Sequence, residues 1–410
     1  MIDDLFSPDH TTEPVIQPKF LAVDFFCGAG GTTRGMIDAG GYVIGGVDKE
    51  EICASTYTEN NVNTTLDRRK AQFINRDIFL AESDYPDGEQ LELVSDLKRE
   101  IKRARAQTEP GIPLMFAICA PCQPFTGLSR KALSKDRAVG RERDRKLLLQ
   151  AGEMVKHFKP EIVVSENVAG ARRDSLGNIW GEFEALLESI GYVVGSEIVS
   201  TEKFGIAQAR RRSILVAVRK DMIADKKVSR ITLPEADPAA LPVTVRDAIG
   251  HYPALNDGDS DPSIPNHRTS KLSELNRRRI SHAKPGASND YLFEIDGGEM
   301  ALDCHKNAAA RTGGRHKTFT DVYTRMDPDK PAPTITTNCI SISNGRFGHY
   351  DIKQNRGISV REAAALQSFR DDYVFYPEER TGPAAKMVGN AVPPKLAKFF
   401  SEFAMGLIKS

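Results

Sequence analysis

Between residues 20 and 218, short apolar runs alternate with segments of helical spacing, and this alternation constrains the fold more than any other feature of the chain. The apolar runs are Phe20–Phe26, Tyr42–Asp48, Gln72–Ile74, Leu114–Ile118, Ile162–Val164, Val193–Val199 and Ile214–Val218. Runs that are apolar on successive residues are what a strand buried on both faces requires. Between them, Thr32–Ala39, Glu50–Glu59, Leu91–Ala106, Leu147–Phe158 and Phe183–Ile190 read as helices. Strand and helix in alternation predict an α/β fold with a mostly parallel sheet, Rossmann-like in its layering. At 410 residues the chain has room for a large and a small domain.

After Lys220 the texture changes. Pro234, Pro238, Pro242, Pro253, Pro262 and Pro265 interrupt the chain, and periodicity stays weak to about Tyr350. The pattern predicts a smaller domain rich in strands and loops. Helices return over Ser359–Phe369 and Ala384–Ile408. The division expected is a loose tail over 1–18, a large domain over 19–249 completed by 384–410, and a small domain over 250–383. No repeat or low-complexity tract is present.

Other properties narrow the class. Lys+Arg and Asp+Glu both number 56, so any nucleic-acid surface must come from local clustering. Six cysteines in 410 residues are too sparse for a disulfide scaffold. No signal pattern and no long apolar run appears, so the chain reads as a cytoplasmic enzyme with reduced thiols and no membrane partner.

The first strand leads into Phe26-Cys27-Gly28-Ala29-Gly30-Gly31, which opens a helix. Glycines there let backbone approach a ligand at a helix N-terminus. Asp48 ends the second strand about 20 residues on, where a carboxylate can take both hydroxyls of a ribose. Position 33 is Thr, so the strict dinucleotide fingerprint fails and a tight turn alone is the bland alternative. After strand three, Asp77 can accept from an adenine amino group while Ile78 packs on the ring.

Strand four ends in Cys119-Ala120-Pro121-Cys122-Gln123. A cysteine at the carboxyl end of a parallel strand is exposed, and nearby donors can lower its pKa, so Cys122 is a candidate nucleophile. The Cys119/Cys122 spacing also fits a dithiol or half a zinc site, although no second ligand pair follows. Further on, Glu166-Asn167-Val168 follows strand five, and Gln208-Ala209-Arg210-Arg211-Arg212 and Gly389-Asn390-Ala391-Val392-Pro393-Pro394 come next. Taken alone, Glu166 reads as a strand-end cap and the arginines as a solvated charge run.

In this order, the motifs resemble those of the DNA (cytosine-5)-methyltransferase family, and Arg356–Phe369 resembles another family block. The likeness runs from Phe20 to Ser410 with a gap in the small domain. It implies S-adenosyl-L-methionine as cofactor, held by Phe26, Gly28, Ala29, Gly31, Asp48, Lys49, Asp77, Ile78, Pro121, Leu147, Asn390 and Val392. Cys122 would attack C6 of cytosine, Glu166 would serve N3, and Arg210 and Arg212 would serve the O2 side. Gln123, Asn167, Gln208, Arg130 and the Arg277-Arg278-Arg279 cluster would meet DNA. Lys49 stands where the family often has an apolar or aromatic residue, and 81–113 is an insertion compared with compact members.

Residues Gln123–Arg145 carry Arg130, Lys131, Lys135, Arg137, Arg141 and Arg143, with Gly127 and Gly140 as hinge candidates. This segment is expected to be a basic loop that closes on a flipped base. Asp321–Tyr323 to Thr336–Thr337 resembles the family core beside its variable region. The expected partner is double-stranded DNA, with a cognate restriction endonuclease or phage-defence protein alongside a monomeric enzyme. An RNA cytosine-5 methyltransferase, a silent DNA-binding protein on the same fold and a nucleotide-dependent oxidoreductase are the alternatives.

Overall fold

The computed structural model describes residues 16–121, 135–173, 178–235, 241–311 and 320–409. Seven strands form one sheet: β1 (Phe20–Phe25), β2 (Gly41–Asp48), β3 (Gln72–Asn75), β4 (Leu114–Ile118), β5 (Ile162–Val168), β6 (Tyr192–Ser200) and β7 (Arg211–Arg219). Their order is β3-β2-β1-β4-β5-β7-β6. The first five are mutually parallel, as expected, while β7 runs antiparallel to both β5 and β6.

The helices of the sheet region are α1 (Gly31–Asp38), α2 (Ala54–Asn60), α3 (Gln90–Arg105), α4 (Lys135–Phe158) and α5 (Ile179–Ser189). Beyond the sheet come α6 (Val245–Ile249), α7 (Glu274–His282), α8 (Tyr291–Glu294), α9 (Asp303–Arg311), α10 (Val360–Leu366), α11 (Thr381–Asn390) and α12 (Pro394–Gly406).

Strand alternation explains the layering. In β1, Leu21, Val23 and Phe25 point to one face with Phe116, Leu93, Leu97, Val155 and Phe183. Phe20 and Ala22 point to the other, with Met36, Met115, Leu396 and Phe400. Thus α3, α4 and α5 cover one face of the sheet, and α1 and α12 the other. The C-terminal helix therefore packs on α1.

Besides the break at 391–393 that splits the helix expected over Ala384–Ile408 into α11 and α12, two findings differ from the sequence reading. First, α4 begins at Lys135, so the second half of the expected basic loop is helix, Gly140 included. Second, no strand occurs among the described residues of 250–383; short helices and single bridges such as Arg325 to Gly348 take their place. Prolines withhold the amide donors that a ladder needs. A buried guanidinium supplies part of what is missing: Arg325 donates to the carbonyls of Ile280, Ala283, His349, Asp351 and Gln354.

An apolar seam joins the regions. Ala29 and Ala207 of the sheet region pack with Val245, Met326, Phe347, Ile358, Leu366, Phe375 and Val388.

Candidate active site

At the carboxyl end of β1 the chain folds back on β2. The N–H groups of Phe26 and Cys27 both donate to Val47 O, at 2.8 and 3.2 Å. Phe26 takes φ of 61°, a left-handed conformation that costs a side-chain-bearing residue about 1–2 kcal/mol. Gly28 (φ 48°) continues the turn, and its N–H donates to Asp48 Oδ2 at 2.8 Å. Asp48 Oδ1 accepts from Glu50 N–H at 2.9 Å. Burial raises the Asp48 pKa above the ordinary carboxylate value, and those two donors oppose the rise.

Gly31 then opens α1 against the C-terminal segment. A Cβ at Gly31 would lie 2.3 Å from Val392 O, and one at Gly389 would lie 2.3 Å from Thr336 C and Thr337 N. Only glycine permits these approaches; the first brings Val392 back to the loop after β1, and the second seats Gly389 on Thr336–Thr337.

The result is a cavity of 770 Å³, in the range of small-molecule sites. Phe26, Gly28, Ala29, Gly31, Asp48, Lys49, Asp77, Ile78, Pro121, Leu147, Asn390 and Val392 all line it. Glu166, Arg210 and Arg212 line the same cavity. Each nucleotide-binding candidate thus borders the same space as Glu166, Arg210 and Arg212.

Glu166 and Arg212 reach it from adjacent strands. The antiparallel register pairs Glu166 with Ile214 and Arg212 with Val168, which puts the two side chains diagonally on one face. Arg212 Nε lies 2.6 Å from Glu166 Oε1, and both groups are largely withdrawn from solvent. Burial raises the Glu166 pKa, and the Arg212 guanidinium opposes this. The outcome is a carboxyl inclined to hold a proton. Arg210 donates to Gln367 Oε1 at 3.2 Å and Gly389 O at 3.4 Å, and its buried Nε has no partner among the described residues.

Three expected substrate contacts are engaged elsewhere. Asn167 is buried, donating to Ala120 O at 3.2 Å and accepting from Val168 N–H at 2.8 Å. Gln208 is buried as well, donating to Gln367 Oε1 at 3.0 Å and accepting from Ile335 N–H at 2.8 Å. Each therefore positions backbone instead of facing the cavity. Arg279 is buried, donating to Met300 O at 3.1 Å, with its guanidinium over the Tyr323 ring. Arg277 is half-buried and Arg278 exposed, and they pair with Asp257 and Asp296.

Arg143, expected in the basic loop, lies on α4 and pairs with Asp77. Cys122, Gln123 and Arg130 lie outside the described residues. Pro121, directly before Cys122, is in the cavity wall. Cys119 is a thiol 3.8 Å from the Thr32 hydroxyl, and burial pushes its pKa up, which favours the protonated form. Among the described residues no cluster of His, Cys, Asp and Glu could hold a metal.

Further wall residues were not singled out by sequence. Gly382, Pro383, Lys386 and Met387 face the cavity from α11, with Ile52 and Arg76 opposite. The signal was available: 382, 386 and 390 follow the i, i+4 spacing of one helical face.

The cavity suits S-adenosyl-L-methionine in its chemistry. It offers apolar surface from Phe26, Ile78 and Leu147, carboxylates at Asp48 and Asp77, and open space at Gly28, where a Cβ would meet nothing within 4 Å.

Comparison with known proteins agrees. The family model for C-5 cytosine-specific DNA methylase matches residues 97–403. The type II methylase M.HgiDII of Herpetosiphon aurantiacus is 32% identical over 391 residues, covering 94% of this chain and 96% of that one. The type II methyltransferase M1.HphI of Haemophilus parahaemolyticus is 29% identical over 380 residues, covering 93% of this chain and 85% of that one. Among solved structures, a DNA modification methyltransferase encoded within a prophage of E. coli superposes with TM-score 0.59 at 19% identity, covering 95% of this chain and 99% of the other. No described helix is long and apolar enough to cross a membrane. The chain belongs to the family of C-5 cytosine-specific DNA methylases.

Proposed function

We propose that this chain transfers a methyl group from S-adenosyl-L-methionine to carbon 5 of a flipped-out cytosine in a specific duplex DNA sequence, through a covalent bond between Cys122 and C6. The observation that carries this reading is a single cavity that gathers a nucleotide-type wall, the Glu166–Arg212 pair and the strand end leading to Cys122.

When bound, S-adenosyl-L-methionine supplies an electrophilic methyl group. Ribose hydroxyls fall to Asp48, adenine to Asp77 and Ile78, and the methionyl part to the Gly28–Gly31 loop and Asn390. Carbon 5 of cytosine is a weak nucleophile, so the ring must be activated. The Cys122 thiolate adds to C6 while Glu166 delivers a proton to N3, leaving C5 enamine-like. Arg212 holds the Glu166 carboxyl and, with Arg210, faces the O2 side. After C5 is methylated, water removes the C5 proton. The S–C6 bond then breaks, and N3 returns its proton to Glu166.

The target carbon is buried in a duplex, which makes base flipping a requirement. Residues 19–249 with 384–410 form the catalytic part in this reading, and 250–383 select the sequence. Arg277 and Arg278 remain candidates for DNA contact. The names of the type II relatives support a restriction-modification setting, and in this reading the chain works as a monomer beside a cognate restriction endonuclease or phage-defence protein.

Bisulfite sequencing of duplex DNA treated with protein and cofactor tests the reaction. Protection of cytosine within one recurring sequence is expected. Label entering RNA and not DNA would overturn the substrate assignment.

A further inference from the structure

Arg76, Asp77 and Ile78 line the cavity, and the segment 81–113 backs them from behind. Glu89 accepts from Asp77 N–H at 3.0 Å and pairs with Arg76 at 2.8 Å. Gln90 donates to Ile78 O at 2.9 Å and to Gln150 of α4 at 3.2 Å. Tyr85 stacks on Phe79, with ring centroids 4.1 Å apart. Against this platform lies Arg143. Its guanidinium sits 5.1 Å from the Phe79 centroid and 5.5 Å from that of Tyr85, and one of its nitrogens pairs with Asp77 Oδ2. Asp77 Oδ1 accepts from Phe79 N–H at 3.0 Å. Leu147, one helical turn after Arg143 on α4, lines the cavity beside Ile78.

We infer that Arg143 is a positioning residue for cofactor selection: held on the Phe79–Tyr85 platform, it fixes the Asp77 carboxylate to accept from the exocyclic amino group of adenine. This rests on the reading of Asp77 as the adenine acceptor. A carboxylate has about four lone-pair sites, so Asp77 can keep Arg143 and the Phe79 N–H while accepting from a ligand. An aromatic platform restrains the long guanidinium side chain, and the guanidinium in turn restrains the carboxylate. Hypoxanthine carries an acceptor oxygen where adenine carries the amino group, so a fixed carboxylate repels it. A loosely held carboxylate can turn away and discriminates less.

Calorimetry with S-adenosylhomocysteine and with its inosine analogue reads this directly, without turnover. For the wild type, we expect the adenosine ligand to bind about 10- to 100-fold more tightly, the span of a hydrogen bond to a charged group. Arg143→Ala should weaken the adenosine ligand roughly tenfold and shrink that preference, with Arg143→Lys partly restoring both. Tyr85→Ala should act in the same direction, and adding it to Arg143→Ala should cost little more, because the platform works through Arg143.

Arg143→Ala that melts like the wild type but keeps both affinity and preference would overturn the proposal. So would equal weakening of both ligands, which marks a purely structural pair. Asp77→Ala separates the premise from the proposal. If it leaves the preference intact, Asp77 is not the adenine acceptor; if it abolishes the preference while Arg143→Ala does not, only the role of Arg143 fails.

Discussion

Gly31→Ala sets two effects against each other. Gly31 is the first residue of α1, and alanine there gains helix propensity worth at most about 1 kcal/mol. The new Cβ, however, would stand 2.3 Å from Val392 O and 3.2 Å from Phe369 Cζ. A backbone oxygen cannot swing aside as a side-chain tip can, so the 389–393 segment must retreat by about 1 Å, and overpacking of this kind costs ~1–3 kcal/mol. The clash therefore wins. We expect a melting temperature lower by about 2–5 °C. The displaced segment carries Asn390 and Val392, so cofactor affinity should fall on the order of tenfold. Gly28→Ala is the contrast: its Cβ meets nothing within 4 Å, and the cost is the strain of φ 48°, ~1 kcal/mol. Calorimetry with S-adenosylhomocysteine and hydrogen exchange over residues 389–397 distinguish the two. Faster exchange there is expected in Gly31→Ala alone. Unchanged exchange, stability and affinity in Gly31→Ala would refute the assembly of the site from both ends of the chain.

Glu166→Gln should lower turnover by ~10²- to 10⁴-fold while cofactor affinity holds. Because the protonated carboxyl is the working form and burial raises its pKa, the Glu166 contribution to rate should fade as pH rises through that pKa. Asp24 is fully buried beneath the glycine loop, its Oδ2 accepting from the Thr33 hydroxyl at 2.7 Å and its Oδ1 without a partner among the described residues. Burial raises its pKa from 3.8 to about 7. The folded state then binds the extra proton, so this stability is present below pH ~4 and lost as pH rises to ~7, by up to about 4 kcal/mol. Urea unfolding at pH 5 and pH 8 should show Asp24→Asn gaining on the wild type at the higher pH; a difference independent of pH refutes it. Arg277→Ala and Arg278→Ala should weaken DNA binding or flatten its salt dependence by about one counterion. Arg279→Ala should instead lower the melting temperature, a difference that melts and binding at two salt concentrations resolve.

The sheet was legible because strands buried on both faces are written as unbroken apolar runs. That Asp48 and Asp77 border one cavity with the glycine loop was legible because Asp48 ends one apolar run and Asp77 follows another. Where α4 begins was not, because Lys135–Arg145 is charged on every face and offers no apolar stripe. The segment after Lys220 was read as strands and loops, whereas the buried Arg325 satisfies carbonyls that a ladder would have paired. Three consecutive arginines on α7 spread over more than half the helix circumference. One of them, Arg279, had to face inward, and composition cannot say which. The family resemblance implied Gln208 and Asn167 as substrate contacts. Their backbone partners, Ala120 and Ile335, are near only in space.

The central claim, covalent activation of cytosine by Cys122 with proton delivery from Glu166, is tested most directly by trapping. Duplex DNA carrying 5-fluorocytosine at the recognised position, incubated with protein and S-adenosyl-L-methionine, has no C5 proton to lose, so the adduct cannot resolve. A gel-stable protein–DNA complex is expected that depends on cofactor, disappears in Cys122→Ala and forms far more slowly in Glu166→Gln. A wild-type protein that methylates ordinary cytosine yet forms no such complex, or a Cys122→Ala variant that still forms it, would contradict the account.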